Sequence, residues 1–202
     1  MSFRLEKKIF ISKENLFDFK KFLINKSLKT LYEPRKIQSL YFDNENLSMY
    51  ADSVEGVVPR KKIRIRNYPS SKTENFFLEK KFSSVEGRFK MSQKISLIDY
   101  QLFIKRGLFD PVYGDCKQTL VVNYDREYLS LNKNIRVTID TNINYNILDK
   151  INYKLFDPNV IVELKTSINQ DIDELFLEFP LQEIRFSKYC NGIELFNLNK
   201  SI

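Results

Sequence analysis

The sequence predicts an α+β fold in which antiparallel strands form a sheet and a few helices lie outside it. Most of the chain alternates apolar and polar residues with a period of two, which is typical of half-buried strands. Apolar residues at helical spacing occur in only a few places. Short polar breaks such as Glu86–Gly87 separate the strand-like runs, and this arrangement favours hairpin connections.

Helical spacing predicts four helices. Ser12 is expected to cap the first, which runs to about Asn25, and the last begins after Ser187. The residues that align on one face of these two are Leu16, Phe19 and Leu23 in the first and Tyr189, Ile193 and Phe196 in the last. The two helices between them are expected at Leu97 to Lys105 and near Ile172 to Phe179.

The length of 202 residues fits one domain better than two. No Gly/Ser-rich or Pro-rich linker divides the chain, so we expect a single domain over residues 1–202. No apolar run approaches the roughly 20 residues that are needed to span a bilayer. Charged residues occupy the start of the chain, where a signal peptide would have its apolar segment. We therefore expect a cytoplasmic protein.

The chain contains no histidine and only two cysteines, Cys116 and Cys190. These absences exclude acid–base catalysis by histidine, Ser-His-Asp triads and zinc sites built from Cys and His. Any metal ion must be held by oxygen ligands, which favours Mg²⁺ or Mn²⁺.

One predicted strand has an entirely cationic face. In residues 60–66 every even position is basic, while Ile63 and Ile65 occupy the other face. The basic residues are Arg60, Lys62, Arg64 and Arg66. Charged residues alternate in the same way at Arg4, Glu6 and Lys8, at Glu79 and Lys81, at Arg88, Lys90 and Lys94, at Arg126, at Arg136, Thr138 and Asp140, and at Glu163 and Lys165.

A sheet with one solvated face explains any single strand of this kind. Several such strands side by side are less easily explained, because like charges opposite one another destabilise a sheet. The net charge of +7 and the isolated carboxylates Glu6, Glu79 and Glu163 suit a partner with several phosphates and a divalent metal. A sheet that closes with its charged face inward would hold such a partner.

A nucleic-acid or membrane surface would instead place aromatic residues among the cations. Here Phe and Tyr fall mostly on the apolar faces or in helices. The chain has 5 glycines, and none is arranged as a Gly-rich phosphate loop. We therefore expect no nucleic-acid partner.

Eight segments then resemble a known family in their order along the chain. They are Arg4-x-Glu6-x-Lys8, Ser39-Leu40-Tyr41-Phe42-Asp43, Gly56-x-x-x-Arg60-x-Lys62-x-Arg64-x-Arg66-x-Tyr68, Leu78-Glu79-x-Lys81, Tyr124-x-Arg126, Arg136-Val137-Thr138-x-Asp140, Glu163-Leu164-Lys165 and Phe186-Ser187-Lys188-Tyr189-Cys190. The series resembles the VTC domain, named after the vacuolar transporter chaperone complex, among the triphosphate tunnel metalloenzymes. The resemblance spans nearly the whole chain.

The resemblance implies an antiparallel β-barrel tunnel with helices packed outside. It implies a polyphosphate polymerase that passes the γ-phosphate of ATP to a growing inorganic polyphosphate chain and releases ADP, with Mn²⁺ or Mg²⁺. The family's catalytic phosphate-binding positions carry over to Lys8, Arg64, Arg66, Lys81, Arg126, Arg136 and Lys188, and its metal-binding glutamate to Glu163. Glu6 and Glu79 are further candidates for the metal.

Further residues are assigned to substrate binding. Ser187 is the family's neutral contact, and the basic residues that share the charged strand faces are Arg4, Arg60, Lys62, Arg88, Lys90, Lys94 and Lys165. Many relatives in the wider superfamily begin with Glu-x-Glu-x-Lys, and here the first of those positions is Arg4. The loss of one carboxylate favours a polymerase over a hydrolase.

Two alternatives to a polymerase remain. One is a hydrolase of tripolyphosphate or nucleoside triphosphates on the same fold, and the other is a polyphosphate-binding module without catalysis. A membrane partner protein, which product export would need, also remains open.

Overall fold

The computed structural model describes residues 4–71, 73–131, 135–147, 154–167, 179 and 182–198. Four helices lie in these ranges: α1 (Leu16–Asn25), α2 (Ser48–Glu55), α3 (Leu97–Arg106) and α4 (Lys188–Leu198). The ten strands are β1 (Arg4–Ile11), β2 (Lys29–Asp43), β3 (Arg60–Asn67), β4 (Phe76–Ser84), β5 (Gly87–Ile95), β6 (Leu108–Asp110), β7 (Gly114–Leu131), β8 (Ile135–Asn146), β9 (Lys154–Phe156) and β10 (Val160–Ser167).

The strands form one sheet in the order β1-β10-β8-β7-β2-β3-β4-β5, while β6 pairs with β7 and β9 with β8. The pairs β1–β10, β10–β8, β2–β3, β3–β4 and β4–β5 are antiparallel. The predicted α+β class with antiparallel strands is confirmed. The Glu86–Gly87 turn joins β4 to β5 as a hairpin, as the sequence indicates.

The chain divides into two compact units. Unit one comprises Met1–Arg35, Tyr124–Ile143 and Phe156–Phe186. Unit two comprises Lys36–Asn123, Asn144–Leu155 and Ser187–Ile202.

The core of unit one follows from strand alternation. Ile9, Val137 and Val162 are fully buried, and helix α1 adds Phe19 and Leu23 to the same cluster. Because neighbouring residues of a strand point to opposite faces, the charged residues between these positions lie on the other face of the sheet.

The core of unit two is built in the same way. Ile63 and Ile65 of β3 pack with Phe76 of β4, and α3 covers this face with Tyr100 and Phe103. Phe76 and Tyr100 stack with ring centroids 4.0 Å apart. The opposite face of β3 is therefore left to Arg64 and Arg66.

The first and third of the predicted helices have different outcomes. Helix α1 begins at Leu16 with Asn15 as its N-cap, so Ser12 is not the cap. Instead, the Ser12 hydroxyl accepts a hydrogen bond from the Asn15 amide at 3.2 Å, which closes the turn before the helix. The helix expected near Ile172 to Phe179 lies, apart from Phe179, outside the described residues.

Helix α2 was missed by the sequence analysis because only Met49 and Ser53 of its eight residues are buried. A pair of buried residues four apart is too short a pattern to detect. What starts the helix is Asp43, whose carboxylate accepts hydrogen bonds from the amides of Met49 and Tyr50 at 3.0 Å each.

Candidate functional site

Strand pairing brings charged residues of unit one together. Lys8 of β1 lies opposite Glu163 of β10, and Glu163 lies opposite Thr138 of β8. One step along, Glu6, Lys165 and Arg136 form a second row. Residues that lie directly opposite one another point to the same face of a sheet, so both rows face the same way. With Arg126 and Asp140 added, these residues are called the Glu163 cluster.

Glu163 is a buried carboxylate with several cations around it. Its side chain is 10% exposed, and its Oε1 lies 2.8 Å from Lys165 Nζ. Arg126 Nη2 lies 3.8 Å from Oε2. Burial alone would raise the pKa of Glu163, but Lys165, Arg126 and Lys8 outweigh it and hold the pKa well below its usual range. Glu163 is therefore charged at neutral pH.

Glu6 completes the arrangement around Glu163. Lys8 Nζ lies 3.3 Å and Lys165 Nζ 3.6 Å from its two oxygens. Lys8 also donates a hydrogen bond to the carbonyl of Phe186 at 2.9 Å. The two carboxylates thus share Lys165 as a counterion.

Arg126 is held by Asp140 on the other side of the cluster. Its Nη2 donates to Asp140 Oδ2 at 2.7 Å, and its Nε donates to Oδ1. Asp140 is fully buried. Burial alone would lower the pKa of Arg126. Asp140, Tyr124 and Glu163 outweigh burial and hold the pKa well above its usual value. The bidentate pair fixes the plane of the guanidinium beside Glu163.

Unit two contains a second group of this kind, the Glu79 cluster, formed by Tyr41, Arg64, Arg66, Glu79 and Lys90. Arg64 of β3 lies opposite both Tyr41 of β2 and Glu79 of β4. Glu79 is 3% exposed. Its Oε2 accepts from Arg64 Nε at 2.7 Å, and its Oε1 accepts from Lys90 Nζ at 2.8 Å. Arg66 Nη1 lies 3.8 Å from Oε2.

These contacts decide the charge of Glu79. Burial raises its pKa, but Arg64, Arg66 and Lys90 outweigh burial and hold the pKa well below the usual range. Both carboxylate oxygens are already engaged by cations. Glu79 thus holds Arg64 and Lys90 in place, and its role as a metal ligand stays a prediction.

Two tyrosines and an aspartate support Arg64 within unit two. Arg64 Nη1 donates to the Tyr41 hydroxyl at 3.0 Å. Tyr41 stacks on Tyr189 at 5.0 Å, and the Tyr189 hydroxyl donates to Asp43 at 2.6 Å. Burial, reinforced by Asp43, raises the pKa of Tyr189. This chain of contacts links the first turn of α4 to Arg64.

The remaining sequence-predicted residues flank the two clusters. Lys62, Lys81 and Lys90 lie opposite one another on β3, β4 and β5, and Arg60, Ser83 and Arg88 form the next row. Lys94 lies opposite Phe77, and Lys62 donates to the Ser187 hydroxyl at 3.2 Å. Lys188 is the first residue of α4. Arg136 is exposed, and the side chain of Arg4 lies outside the described part of the chain.

Two carboxylates of the Glu163 cluster are candidate ligands for a metal ion. Glu163 and Glu6 both contact Lys165 and supply carboxylate oxygens, the ligand type that Mg²⁺ and Mn²⁺ prefer. Within the described part of the chain no group of three or more His, Cys, Asp or Glu could hold a metal. The donors fit an ion such as Mg²⁺ or Mn²⁺ that takes its other ligands from water and substrate phosphates.

Four residues of the quoted segments have contacts in the site that the sequence did not indicate: Tyr41, Asp43, Asp140 and Tyr189. The available signal was alternation, because Tyr41 and Asp43 alternate with the core residues Leu40 and Phe42. Their contacts come from other strands and from α4, which the local sequence does not show.

The VTC domain family model matches residues 3–197. The chain belongs to the VTC domain family. No curated protein matches its sequence. Within the described residues, no helix of this VTC domain is long and apolar enough to cross a membrane.

Solved structures resemble the VTC domain in fold. The bh2851 protein from Bacillus halodurans, described as a candidate adenylate cyclase, has a TM-score of 0.62 at 14% identity, covering 92% of this chain and 94% of that chain. PH1819 from Pyrococcus horikoshii has a TM-score of 0.60 at 14% identity, covering 96% and 99%. HpAC1 from Hippeastrum, described as having a dominant triphosphatase activity, has a TM-score of 0.60 at 12% identity, covering 96% of each chain. The fold is thus that of the triphosphate tunnel proteins.

Proposed function

We propose that this VTC domain is a metal-dependent ATP:polyphosphate phosphotransferase. The bond between the γ-phosphorus and its bridging oxygen to the β-phosphate breaks. A terminal oxygen of inorganic polyphosphate forms the new bond, and ADP leaves. The observation that carries the proposal is a buried, charged Glu163 that is surrounded by Lys8, Arg126 and Lys165 in a protein of the VTC domain family. Family membership supports polyphosphate as the acceptor.

The basic side chains act by binding and charge neutralisation. In unit one, Lys8, Arg126, Arg136 and Lys165 bind phosphate oxygens. In unit two the same task falls to Arg64, Arg66, Lys81 and Lys188, assisted by Ser187, Arg60, Lys62, Arg88, Lys90 and Lys94. The attacking oxygen of a polyphosphate chain is already ionised, so no general base is needed. Phosphoryl transfer depends mainly on positioning and electrostatic stabilisation, which suits a chain without histidine.

Glu163, with Glu6, would hold the metal ion. Mg²⁺ or Mn²⁺ would neutralise charge on the phosphate oxygens. Glu163 must be ionised for this role, and the neighbouring cations keep it so. The same cations would bind the phosphates, so a metal ion held by Glu163 and Glu6 would lie beside them.

The test is turnover of ATP with Mn²⁺ and a short polyphosphate primer, followed by ³¹P NMR. We expect the internal-phosphate resonance to grow as ADP appears. Orthophosphate as the sole product would contradict the proposal and identify a triphosphatase. Binding without turnover would identify a polyphosphate-binding module.

Two variants assign the clusters. Glu163→Gln is expected to abolish turnover while the protein stays folded, and the matched control Glu183→Gln removes an exposed carboxylate of unit one, 3.7 Å from Lys7 Nζ, and stays active. Arg64→Ala is expected to weaken tripolyphosphate binding, measured by calorimetry. Full activity of Glu163→Gln would remove Glu163 from the metal role, and unchanged affinity of Arg64→Ala would remove the Glu79 cluster from phosphate binding.

A further inference from the structure

Thr138 presents a buried hydroxyl with no hydrogen-bond partner among the described residues. Buried polar atoms almost always have a partner, because losing water without a replacement costs free energy. The hydroxyl of Thr138 is therefore unusual, and the position of Thr138 in unit one accounts for it.

Thr138 lies inside the Glu163 cluster. It is directly opposite Glu163 in the β8–β10 pairing, and it alternates with the fully buried Val137 and Ile139. Its side chain therefore points to the charged face rather than to the core. The residue as a whole is half-buried, so part of Thr138 is exposed to solvent.

The neighbours of Thr138 indicate what its hydroxyl binds. Lys8, Lys165 and Arg126 surround Glu163 as donors, and cations of this kind gather the oxygens of a phosphate. A hydroxyl can donate a hydrogen bond to such an oxygen. Because that bond would form only with the ligand present, the oxygen atom lacks a partner in the free protein.

We propose that Thr138 is a substrate-binding residue, whose hydroxyl donates a hydrogen bond to a phosphate oxygen of the substrate. The proposal rests on the proposed function and adds a neutral donor to its cationic ones. The Thr138 hydroxyl would recognise an accepting oxygen without adding a further positive charge.

The experiment compares Thr138→Val, which keeps the shape and removes the hydroxyl, with Thr138→Ser, which keeps the hydroxyl. Binding of tripolyphosphate is measured by calorimetry in the presence of EDTA, and the melting temperature of the free protein is recorded. We expect Thr138→Val to bind about tenfold more weakly, which is the loss of one hydrogen bond to a charged group. Its free form should melt at or above the wild-type temperature, and Thr138→Ser should bind like wild type.

Each other outcome is decisive. Wild-type affinity in Thr138→Val overturns the proposal, as does a Thr138→Val protein that melts lower or fails to fold, since the hydroxyl would then be structural. A difference that appears only after Mg²⁺ is added makes Thr138 a metal contact and also overturns it. If the wild-type protein binds tripolyphosphate neither in EDTA nor with Mg²⁺, the proposed function fails and this inference fails with it.

Discussion

Two buried glutamates organise the charged residues, and each is ionised for the same reason. Glu79 and Glu163 are both less than a tenth exposed, and burial alone would favour their neutral forms. Nearby arginine and lysine side chains reverse that preference. Each glutamate has three cationic neighbours. Glu163 differs because it also lies beside the carboxylate of Glu6, with which it shares Lys165.

Asp140 is expected to be essential for stability through Arg126. Asp140→Ala leaves a buried guanidinium without its bidentate partner, which should cost about 3–5 kcal/mol of unfolding free energy. Urea unfolding of the free protein measures this. Asp125→Ala is the control, because Asp125 accepts an exposed hydrogen bond from Asn142 at 2.8 Å, and it should cost less than about 1 kcal/mol. Equal losses of unfolding free energy in the two variants would show that the Arg126–Asp140 pair contributes no more to stability than the Asp125–Asn142 contact.

Glu79 is expected to make stability depend on acid pH. Its pKa in the folded protein is depressed below the ordinary value of 4.5, so its stabilising effect is present above that value. The effect is lost as pH falls through the folded pKa. The unfolding free energy should therefore drop below about pH 4.5, and Glu79→Gln should drop less steeply.

The control for this pH series is Glu86→Gln, which changes an exposed carboxyl in the turn of the same hairpin. It should reproduce the wild-type curve. If the unfolding free energy of Glu79→Gln falls with pH as steeply as that of wild type, the result would contradict the ionised state that Arg64, Arg66 and Lys90 impose on Glu79.

At the scale of elements, strand alternation was the reliable signal. It correctly separated Ile63 and Ile65, which enter the core of unit two, from Arg64 and Arg66 on the other face. It could not show which carboxylate each arginine would meet, because that depends on strand register. Glu79 meets Arg64 only because β3 and β4 pair in one particular register.

Local sequence was less informative for helix ends and short helices. Ser12 and Asn15 are both good caps, and the choice between them depends on where Leu16, Phe19 and Leu23 meet the core of unit one. The start of helix α2 is fixed by hydrogen bonds from its amides to Asp43 at the end of β2. The spacing of apolar residues does not predict such a contact.

Helix α4 is expected to depend on the small size of Gly192. A Cβ atom there would lie 2.5 Å from Leu120 Cδ2 and 2.6 Å from Tyr145 Cδ1, and both residues are fully buried. Gly192→Ala should lower the unfolding free energy by about 1–3 kcal/mol through overpacking, despite alanine's better helix propensity. Thermal unfolding tests this, with Glu194→Ala on the exposed face of α4 as the control. A more stable Gly192→Ala protein would contradict the tight packing of α4 within unit two.

At the scale of the whole molecule, the net charge of +7 includes two groups of cations. Unit one carries cations around Glu163 and unit two carries them around Glu79. Lys62, Lys81 and Lys90 lie opposite one another on three strands, and a bound anion would reduce the repulsion between them. A ligand that binds only the folded protein should stabilise it by roughly 2.7 kcal/mol at about 100 times its Kd.

The central claim is that the γ-phosphate of ATP ends in a polyphosphate chain. The most direct measurement uses ATP with a radiolabelled γ-phosphate, Mn²⁺ and unlabelled primer, with products separated on a gel. The account predicts that label moves into a ladder of lengthening chains in the wild-type protein and not in Glu163→Gln. Label that appears only as orthophosphate, or a ladder of equal intensity from Glu163→Gln, would contradict it.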